Sequence, residues 1–241
     1  MANSITLTNH LIEIRLRLVY CILFFFLSFC ISYCFVEHIY NFLLEPLAKT
    51  YGEDHHRRII YTGVSEAFTT YVRLAFLSAL FFSAPFFMSQ FYLFLAPGLY
   101  KKEKKLILSL LIMSPLLFLI GSAFLYYFVF PAVFKFFVSF ESNKSAIPIE
   151  LEARISEYLS LVVKLIFGFG IAFQLPIVII ILVKIGVVKV QTLRSKRKYW
   201  IVLIFIIAAV LTPPDVFSQI SMALPMMLLY EIAILISARI K

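Results

Sequence analysis

The chain has 241 residues, of which 62% are hydrophobic, with a formal net charge of +9 and a mean hydropathy of +0.97. Soluble domains contain about 45–50% apolar residues. This composition therefore excludes an ordinary soluble protein and predicts a polytopic membrane protein.

Apolar segments along the chain predict its transmembrane helices. A hydrocarbon core of about 30 Å requires about 20 apolar residues per helix. Five segments reach about that length, and one, 199–211, is shorter. We predict an all-α membrane protein with one domain over residues 1–241 and six helices at about 18–36, 71–95, 106–130, 158–183, 199–211 and 216–236. The last two are separated at Thr212-Pro213-Pro214-Asp215, because paired prolines lack amide donors and cannot continue a helix.

The first apolar segment follows Arg15 and Arg17, as the apolar region of a secretory signal would. The apolar region of a signal peptide runs about 7–15 residues before a small-residue cleavage site. This segment instead continues to Val36 without such a site. We predict an uncleaved first span.

The distribution of Lys and Arg predicts the orientation, because basic loops stay on the cytoplasmic or matrix side of the membrane. With six spans, both termini lie on this inner side. Its loops and termini carry fourteen Lys and Arg but only two acids, Glu13 and Glu103. The positive charge thus reflects topology and attraction to the lipid bilayer, not nucleic-acid binding. The two carboxylates are candidate receptors for a cationic ligand, although Glu13 can also pair with Arg17 four residues away.

The composition also bears on the membrane in which the protein resides. The chain has 27 Phe and 13 Tyr but only 7 Gly, which hints at an AT-rich genome. No Arg- and Ser-rich transit peptide precedes the first span. We therefore favour an organelle-encoded protein of the mitochondrial inner membrane, with a bacterial plasma membrane as the alternative.

Several kinds of chemistry have no matching motif in the chain. It has neither a Walker-type loop nor a Gly-x-Gly-x-x-Gly sequence. All four histidines lie outside the spans or at their ends, so two helices cannot ligate a haem between them. We predict a protein that is not an enzyme and has no cofactor or metal.

Polar residues within the predicted spans are costly in hydrocarbon and indicate functional positions. They include Lys164, Gln174 and Glu231. Pro176 interrupts the helix ladder near Gln174, so this amide either satisfies freed backbone groups or faces a wet cavity. Glu231 can meet Arg239 or water. These residues leave open a secondary transporter of ions or small solutes, and a structural subunit of a respiratory complex is a third possibility.

A set of short motifs occurs in order along nearly the whole chain. The motifs are His10-Leu11-Ile12-Glu13-Ile14-Arg15, Ser83-Ala84-Pro85, Phe94-Leu95-Ala96-Pro97-Gly98-Leu99-Tyr100 with Glu103-Lys104-Lys105, Phe130-Pro131, Ser156-Glu157-Tyr158-Leu159, Phe173-Gln174-Leu175-Pro176 and Leu211-Thr212-Pro213-Pro214-Asp215-Val216-Phe217-Ser218-Gln219. In this order they resemble the TatC family, the core receptor subunit of the twin-arginine protein translocase. The resemblance implies six helices in a concave, glove-like arrangement with short fifth and sixth helices. The segment 199–211 fits, because its thirteen residues span about 20 Å.

The resemblance also implies that the inner face binds signal peptides with consecutive arginines. Glu13 and Glu103 would each accept one arginine, since a guanidinium forms two parallel bonds to a carboxylate and a lysine cannot. Other residues of the two inner segments would complete this site: Arg15, Arg17, Phe94, Pro97, Leu99, Tyr100 and Lys104. Arg17 and Lys104 would hold the carboxylates when no peptide is bound. Glu103 is the stronger candidate, because Glu13 has Arg17 as a structural partner.

The implied partners are small single-span TatA- and TatB-like proteins that assemble around the receptor. Together they would export folded proteins with the proton-motive force, in an oligomeric assembly. We expect partner contacts at Gln174, Pro176, Pro213 and Asp215. Many family members have an acidic residue where this chain has Gln174. Glutamine cannot ionise, so it favours hydrogen-bonded docking over a titratable role.

Overall fold

The structure is a computed structural model that describes residues 2–51, 58–95, 104–141, 151–212 and 215–239. These residues are almost entirely helical. The helices are α1 (Ala2–Cys34), α2 (Val36–Tyr51), α3 (Glu66–Leu95), α4 (Lys104–Phe124), α5 (Phe130–Val138), α6 (Ile155–Ala172), α7 (Leu175–Lys184), α8 (Val190–Ser195), α9 (Arg197–Leu211) and α10 (Val216–Arg239). A single π-helical turn, Leu125–Val129, joins α4 to α5.

Among the described residues, five helical stretches are long and apolar enough to cross a membrane. They are Ile12–Cys34, Glu66–Phe94, Ile112–Val138, Ile155–Lys184 and Val216–Arg239. The predicted fifth span corresponds to α9, whose 15 residues extend about 22 Å, short of a hydrocarbon core of about 30 Å. The prediction of an all-α membrane protein is confirmed. The expected short fifth helix is present as α9, but the expectation of a short sixth helix is wrong, because α10 has 24 residues and is long enough to cross a membrane. The count of six spans, the side of the termini and the concave arrangement stay predictions.

The first helix is longer than its apolar segment. The sequence predicts a span at 18–36, whereas α1 begins at Ala2. No glycine or proline occurs between Ala2 and Cys34, so nothing in this stretch ends the helix. The segment with Glu13 and Arg17 is thus a continuous helical extension of the first span.

The third predicted span, 106–130, continues through a proline. Pro131 lacks an amide hydrogen and would break a regular α-helix ladder. In the preceding turn the Phe130 amide donates to the Leu125 carbonyl, an i to i−5 bond. This wider π turn accommodates Pro131 at the start of α5, because a π turn can absorb the backbone offset. The helix therefore extends to Val138 rather than ending at residue 130.

The fourth predicted span, 158–183, is divided into two helices. α6 ends at Ala172, and α7 begins at Leu175 with Pro176 in its first turn. Proline is tolerated there because the first amides of a helix have no intrahelical acceptor. Gln174 lies in the two-residue junction.

The described residues form two compact units. The first comprises Met1–Tyr40 and Tyr71–Leu116. Its contacts include stacked rings of Phe24 on α1 and Phe86 on α3, with centroids 4.4 Å apart. Such aromatic pairs add specific geometry to apolar packing. Many other apolar side chains of α1 are exposed in the isolated chain, as expected for a helix in contact with lipid.

The second unit comprises Asn41–Thr70 and Leu117–Lys241. Its core contains tightly packed helices. A Cβ atom added at Gly170 of α6 would lie 2.5 Å from Cε2 of Phe118, a fully buried side chain. Small residues at such positions let helix backbones approach closely. α10 packs against α7 and α9, and its Tyr230 is almost completely buried.

Candidate functional site

The segment of α1 that precedes its apolar span contains a close pair between an acid and an arginine. Nη2 of Arg17 lies 2.6 Å from Oε1 of Glu13, and Nε donates to the same oxygen at 3.1 Å. Residues four apart lie on one helix face, which brings these side chains together. The salt bridge that the spacing predicts between Glu13 and Arg17 is present.

Arg17 also reaches α3. Its Nη1 donates to Oε1 of Gln90 at 3.1 Å, and its Nη2 donates to the Leu93 carbonyl at 3.4 Å. The side chains of Arg17 and Glu13 are 25% and 34% exposed, so the pair is partly shielded from solvent. The sequence patterns did not single out Gln90, whose only signal is a polar side chain near the C-terminal end of an apolar helix.

The remaining residues of the predicted peptide site are only partly described. Arg15 is exposed on α1 and Phe94 is half-buried in the last turn of α3. Lys104 begins α4, but its side chain lies outside the described part of the structure. Pro97, Leu99, Tyr100 and Glu103 also lie outside the described residues. The structure therefore brings together Glu13 and Arg17 and adds Gln90, and the pairing of Glu13 with Glu103 stays a prediction.

The predicted partner-contact residues lie at helix boundaries of the second unit. Gln174 is half-buried at the junction of α6 and α7, and its carbonyl accepts the Val178 amide at 3.1 Å. Pro176 is buried in the first turn of α7. Pro213 lies outside the described residues. Asp215 immediately precedes α10.

Asp215 caps the N-terminus of α10. Its Oδ1 accepts the Ser218 amide at 2.7 Å, and its Oδ2 accepts the Ser218 hydroxyl at 2.5 Å. A carboxylate at this position satisfies an amide that has no partner within the helix and complements the helix dipole. Gln219 also connects α10 to α9, because its Nε2 donates to the Phe205 carbonyl at 3.2 Å. Asp215 thus has a structural role that the sequence analysis did not predict.

On α10, Glu231 pairs with a residue that the sequence did not indicate. The sequence suggested Arg239 or water as its partner, whereas Nη2 of Arg197 on α9 lies 2.8 Å from Oε2 of Glu231. The adjacent Tyr230 donates its hydroxyl to the Leu193 carbonyl of α8 at 2.9 Å. These contacts join α8, α9 and α10. They depend on tertiary neighbours that are far apart in the chain.

Glu66, at the start of α3, is an acid that the sequence patterns did not single out. Its carboxylate accepts hydrogen bonds from Arg154 and Ser156, which flank the start of α6, and from the Thr62 and Gly63 amides. The hydrogen bonds to Glu66 raise the pKa of Arg154 above its ordinary value. The motif that contains Ser156 was the only signal in the sequence.

The helices and these contacts define a polytopic α-helical membrane protein. The family model described as "Sec-independent protein translocase protein (TatC)" matches residues 9–225. The chain therefore belongs to the TatC family, as its motifs predicted. It is a protein-translocase component, not an enzyme. This assignment replaces the alternatives of a solute transporter and a respiratory subunit.

Individual relatives agree with this assignment. The chain is 53% identical over 228 residues to the Sec-independent protein translocase protein TatC of Rickettsia prowazekii, covering 95% of this chain and 90% of that protein. It is 39% identical to a tatC-like protein of Reclinomonas americana, covering 97% of this chain and 88% of that protein. Among solved structures, a crystal structure of the twin-arginine translocase receptor TatC in DDM has a TM-score of 0.79 and 34% identity, covering 95% of this chain and 99% of that chain.

Proposed function

We propose that this chain is the receptor subunit of a twin-arginine translocase and binds twin-arginine signal peptides on its inner face. The observation that carries the proposal is the contact between Glu13 and Arg17. There a carboxylate of the inner segment already accepts two bonds from a guanidinium, at 2.6 and 3.1 Å. The likeness to a crystallised twin-arginine translocase receptor over 95% of this chain supports it.

The chemistry of the proposed site explains a preference for arginine over lysine. A guanidinium is planar and presents its donors in a fixed arrangement, whereas an ammonium is a compact point charge. Glu13 and Glu103 would each accept one arginine of the peptide. The excess of Lys and Arg around them would repel cations that cannot form such bonds, which sharpens the selection.

Crosslinking of a labelled twin-arginine peptide tests the receptor role. Glu103→Gln should reduce crosslinking strongly, and Glu13→Gln to a lesser degree, because a neutral amide loses the charge-assisted bonds. Membrane insertion should be unchanged. Glu37→Gln is a matched control, since Glu37 is an exposed acid of α2 that is not part of the proposed site. Unchanged crosslinking in both site variants would contradict the receptor role.

We further propose that the receptor organises small single-span partner proteins into an oligomeric assembly driven by the proton-motive force. Gln174, Pro176, Pro213 and Asp215 would contribute to partner contacts. Gln174 lies at a helix junction, where its side-chain amide would hydrogen-bond to a polar transmembrane residue of a partner. Such a bond between membrane helices contributes about 1 kcal/mol. Gln174→Leu should reduce partner copurification, and Gln174→Glu should retain it. Equal copurification of the leucine variant and the wild-type protein would exclude this contact.

The membrane that holds the protein is also a proposal. The Phe- and Tyr-rich composition favours an organelle inner membrane. The identity of 53% with a bacterial TatC protein, that of Rickettsia prowazekii, supports a bacterial plasma membrane, and we propose that location. Fractionation of the source cells followed by immunoblotting with an antibody to this chain distinguishes the two membranes.

A further inference from the structure

The guanidinium of Arg17 is surrounded by oxygen acceptors from two helices. Oε1 of Glu13 accepts Nη2 and Nε, Oε1 of Gln90 accepts Nη1, and the Leu93 carbonyl accepts Nη2 at a longer distance. All of these residues belong to one compact unit. The three nitrogens of the guanidinium therefore each have an acceptor.

This set of acceptors, which we call the guanidinium site, matches the chemistry of an arginine side chain. A guanidinium has five N–H donors in one plane and no acceptor, so it is best satisfied by oxygens placed around that plane. The site supplies one carboxylate oxygen, one amide oxygen and one backbone carbonyl. An ammonium group has three donors on a single nitrogen and cannot reach all three oxygens with the same geometry.

On the basis of the proposed receptor function, we infer that Arg17 is an internal competitor of the signal peptide. In the peptide-free receptor its guanidinium occupies the guanidinium site, and one arginine of the peptide displaces it there. Gln90 and the Leu93 carbonyl then bind that arginine together with Glu13. Gln90 is accordingly a specificity-determining residue, in addition to the two acids.

The energetics permit such an exchange. The incoming arginine forms the same kinds of bonds that Arg17 gives up, so the exchange conserves most hydrogen bonds. A partly exposed pair four residues apart on a helix is weak. Removal of the competitor should therefore strengthen peptide binding only moderately, by about two- to fivefold.

A purely structural role for Arg17 predicts the opposite result. If Arg17 served only to tie α1 to α3 and to hold Glu13 in place, its removal would weaken peptide binding. Two substitutions separate competition from a general effect of charge. Arg17→Gln removes both the charge and the guanidinium, whereas Arg17→Lys keeps the charge and loses the planar group.

The experiment measures the Kd of a fluorescent twin-arginine peptide, and of its twin-lysine counterpart, for the full chain in detergent. Arg17→Gln should lower the Kd of the twin-arginine peptide about two- to fivefold, and Arg17→Lys should lower it less. Lys184→Gln is the charge control, since Lys184 is an exposed cation of the other unit, and it should leave the Kd unchanged. Gel filtration and thermal unfolding check that each variant is folded.

Gln90 is tested in the background that lacks the competitor. Gln90→Leu combined with Arg17→Gln should raise the Kd of the twin-arginine peptide above that of Arg17→Gln alone and leave the twin-lysine Kd unchanged. An equal loss for both peptides would overturn the assignment of Gln90.

Two other results would overturn the role of Arg17. One is a higher Kd in Arg17→Gln. The other is a wild-type Kd in Arg17→Lys together with equal gains in Arg17→Gln and Lys184→Gln, which would indicate a general charge effect. If the wild-type protein does not prefer the twin-arginine peptide over the twin-lysine peptide, the receptor function itself fails and the inference fails with it.

Discussion

Arg154 binds both carboxylate oxygens of Glu66, although the two residues are 88 positions apart in the chain. Nε donates to Oε1 at 2.9 Å and Nη2 donates to Oε2 at 3.1 Å. Bidentate pairs of this kind fix geometry as well as charge. Next to the pair, a parallel backbone bridge joins Ile60 to Arg154, with the Ile60 amide donating to Ala153 and the Ile155 amide donating to Ile60. The start of α3 is thereby attached to the start of α6.

Substitutions at this pair should lower thermal stability in a graded way. Glu66→Ala should lower the Tm by several degrees, because it removes the acceptor for Arg154 and for the Thr62 and Gly63 amides. Glu66→Gln should have a smaller effect, since its side-chain oxygen can still accept a hydrogen bond. Thermal unfolding of the detergent-solubilised protein measures both changes.

The control for this prediction is another acid–arginine pair in the same region. Glu152 lies 3.7 Å from Arg58, and both side chains are at least half exposed. Exposed pairs contribute little to stability, so Glu152→Gln should leave the Tm almost unchanged. A similar loss in Glu152→Gln and Glu66→Ala would argue against a special role for the bidentate pair.

Two glycines of α6 should respond differently to alanine. At Gly170 the new Cβ would overlap the buried ring of Phe118, whereas at Gly168 the nearest atom is Cβ of Leu211 at 3.5 Å, an ordinary contact. Gly170→Ala should destabilise the protein by about 1–3 kcal/mol through overpacking. Gly168→Ala should be neutral or should stabilise by up to about 1 kcal/mol, because alanine favours the helix. Denaturant unfolding of both variants checks the contrast, and equal effects would contradict the packing described for Gly170.

Asp215 has both a capping role in the structure and a proposed role in partner contacts. Asp215→Ala should destabilise the protein by about 0.5–2 kcal/mol through loss of the cap, whereas Asp215→Asn should retain most of the stability, because asparagine also caps helices well. Thermal unfolding separates these variants. If Asp215→Asn keeps its stability and loses transport of a reporter, the charge itself contributes to partner assembly. Normal transport by Asp215→Asn would indicate that the charge of Asp215 is not needed for partner assembly and that the residue acts only as a helix cap.

The corner formed by α8, α9 and α10 contains one buried and one exposed polar contact. Tyr230→Phe should cost about 1 kcal/mol, because it leaves the Leu193 carbonyl without its hydroxyl donor in a buried position. Arg197→Gln should cost less than about 1 kcal/mol, since Arg197 and Glu231 are 50% and 46% exposed and solvent screens the pair. The loss of stability in Arg197→Gln should be smaller at high salt than at low salt, whereas the loss in Tyr230→Phe should not depend on salt. Unfolding measurements at the two salt concentrations check this contrast.

Local rules predicted several details of the fold correctly. The spacing of Glu13 and Arg17 predicted their salt bridge, and the Pro213-Pro214 pair predicted the boundary after Leu211, where α9 ends. Both predictions depend only on residues a few positions apart, for which helix geometry leaves little freedom. The sequence alone missed the continuation of the helix through Pro131, because a π turn is not specified by any single residue.

The sequence by itself determined the membrane class, the approximate spans and the family. These features depend on runs of apolar residues and on ordered motifs, and both are properties of a linear chain. Only the tertiary structure decided the partners of the polar side chains, such as Arg154 for Glu66, Arg197 for Glu231 and Gln90 for Arg17. The physical reason is that a polar side chain pairs with whichever donor or acceptor packing brings within about 3 Å, and the separation of two residues along the sequence carries no information about that neighbour.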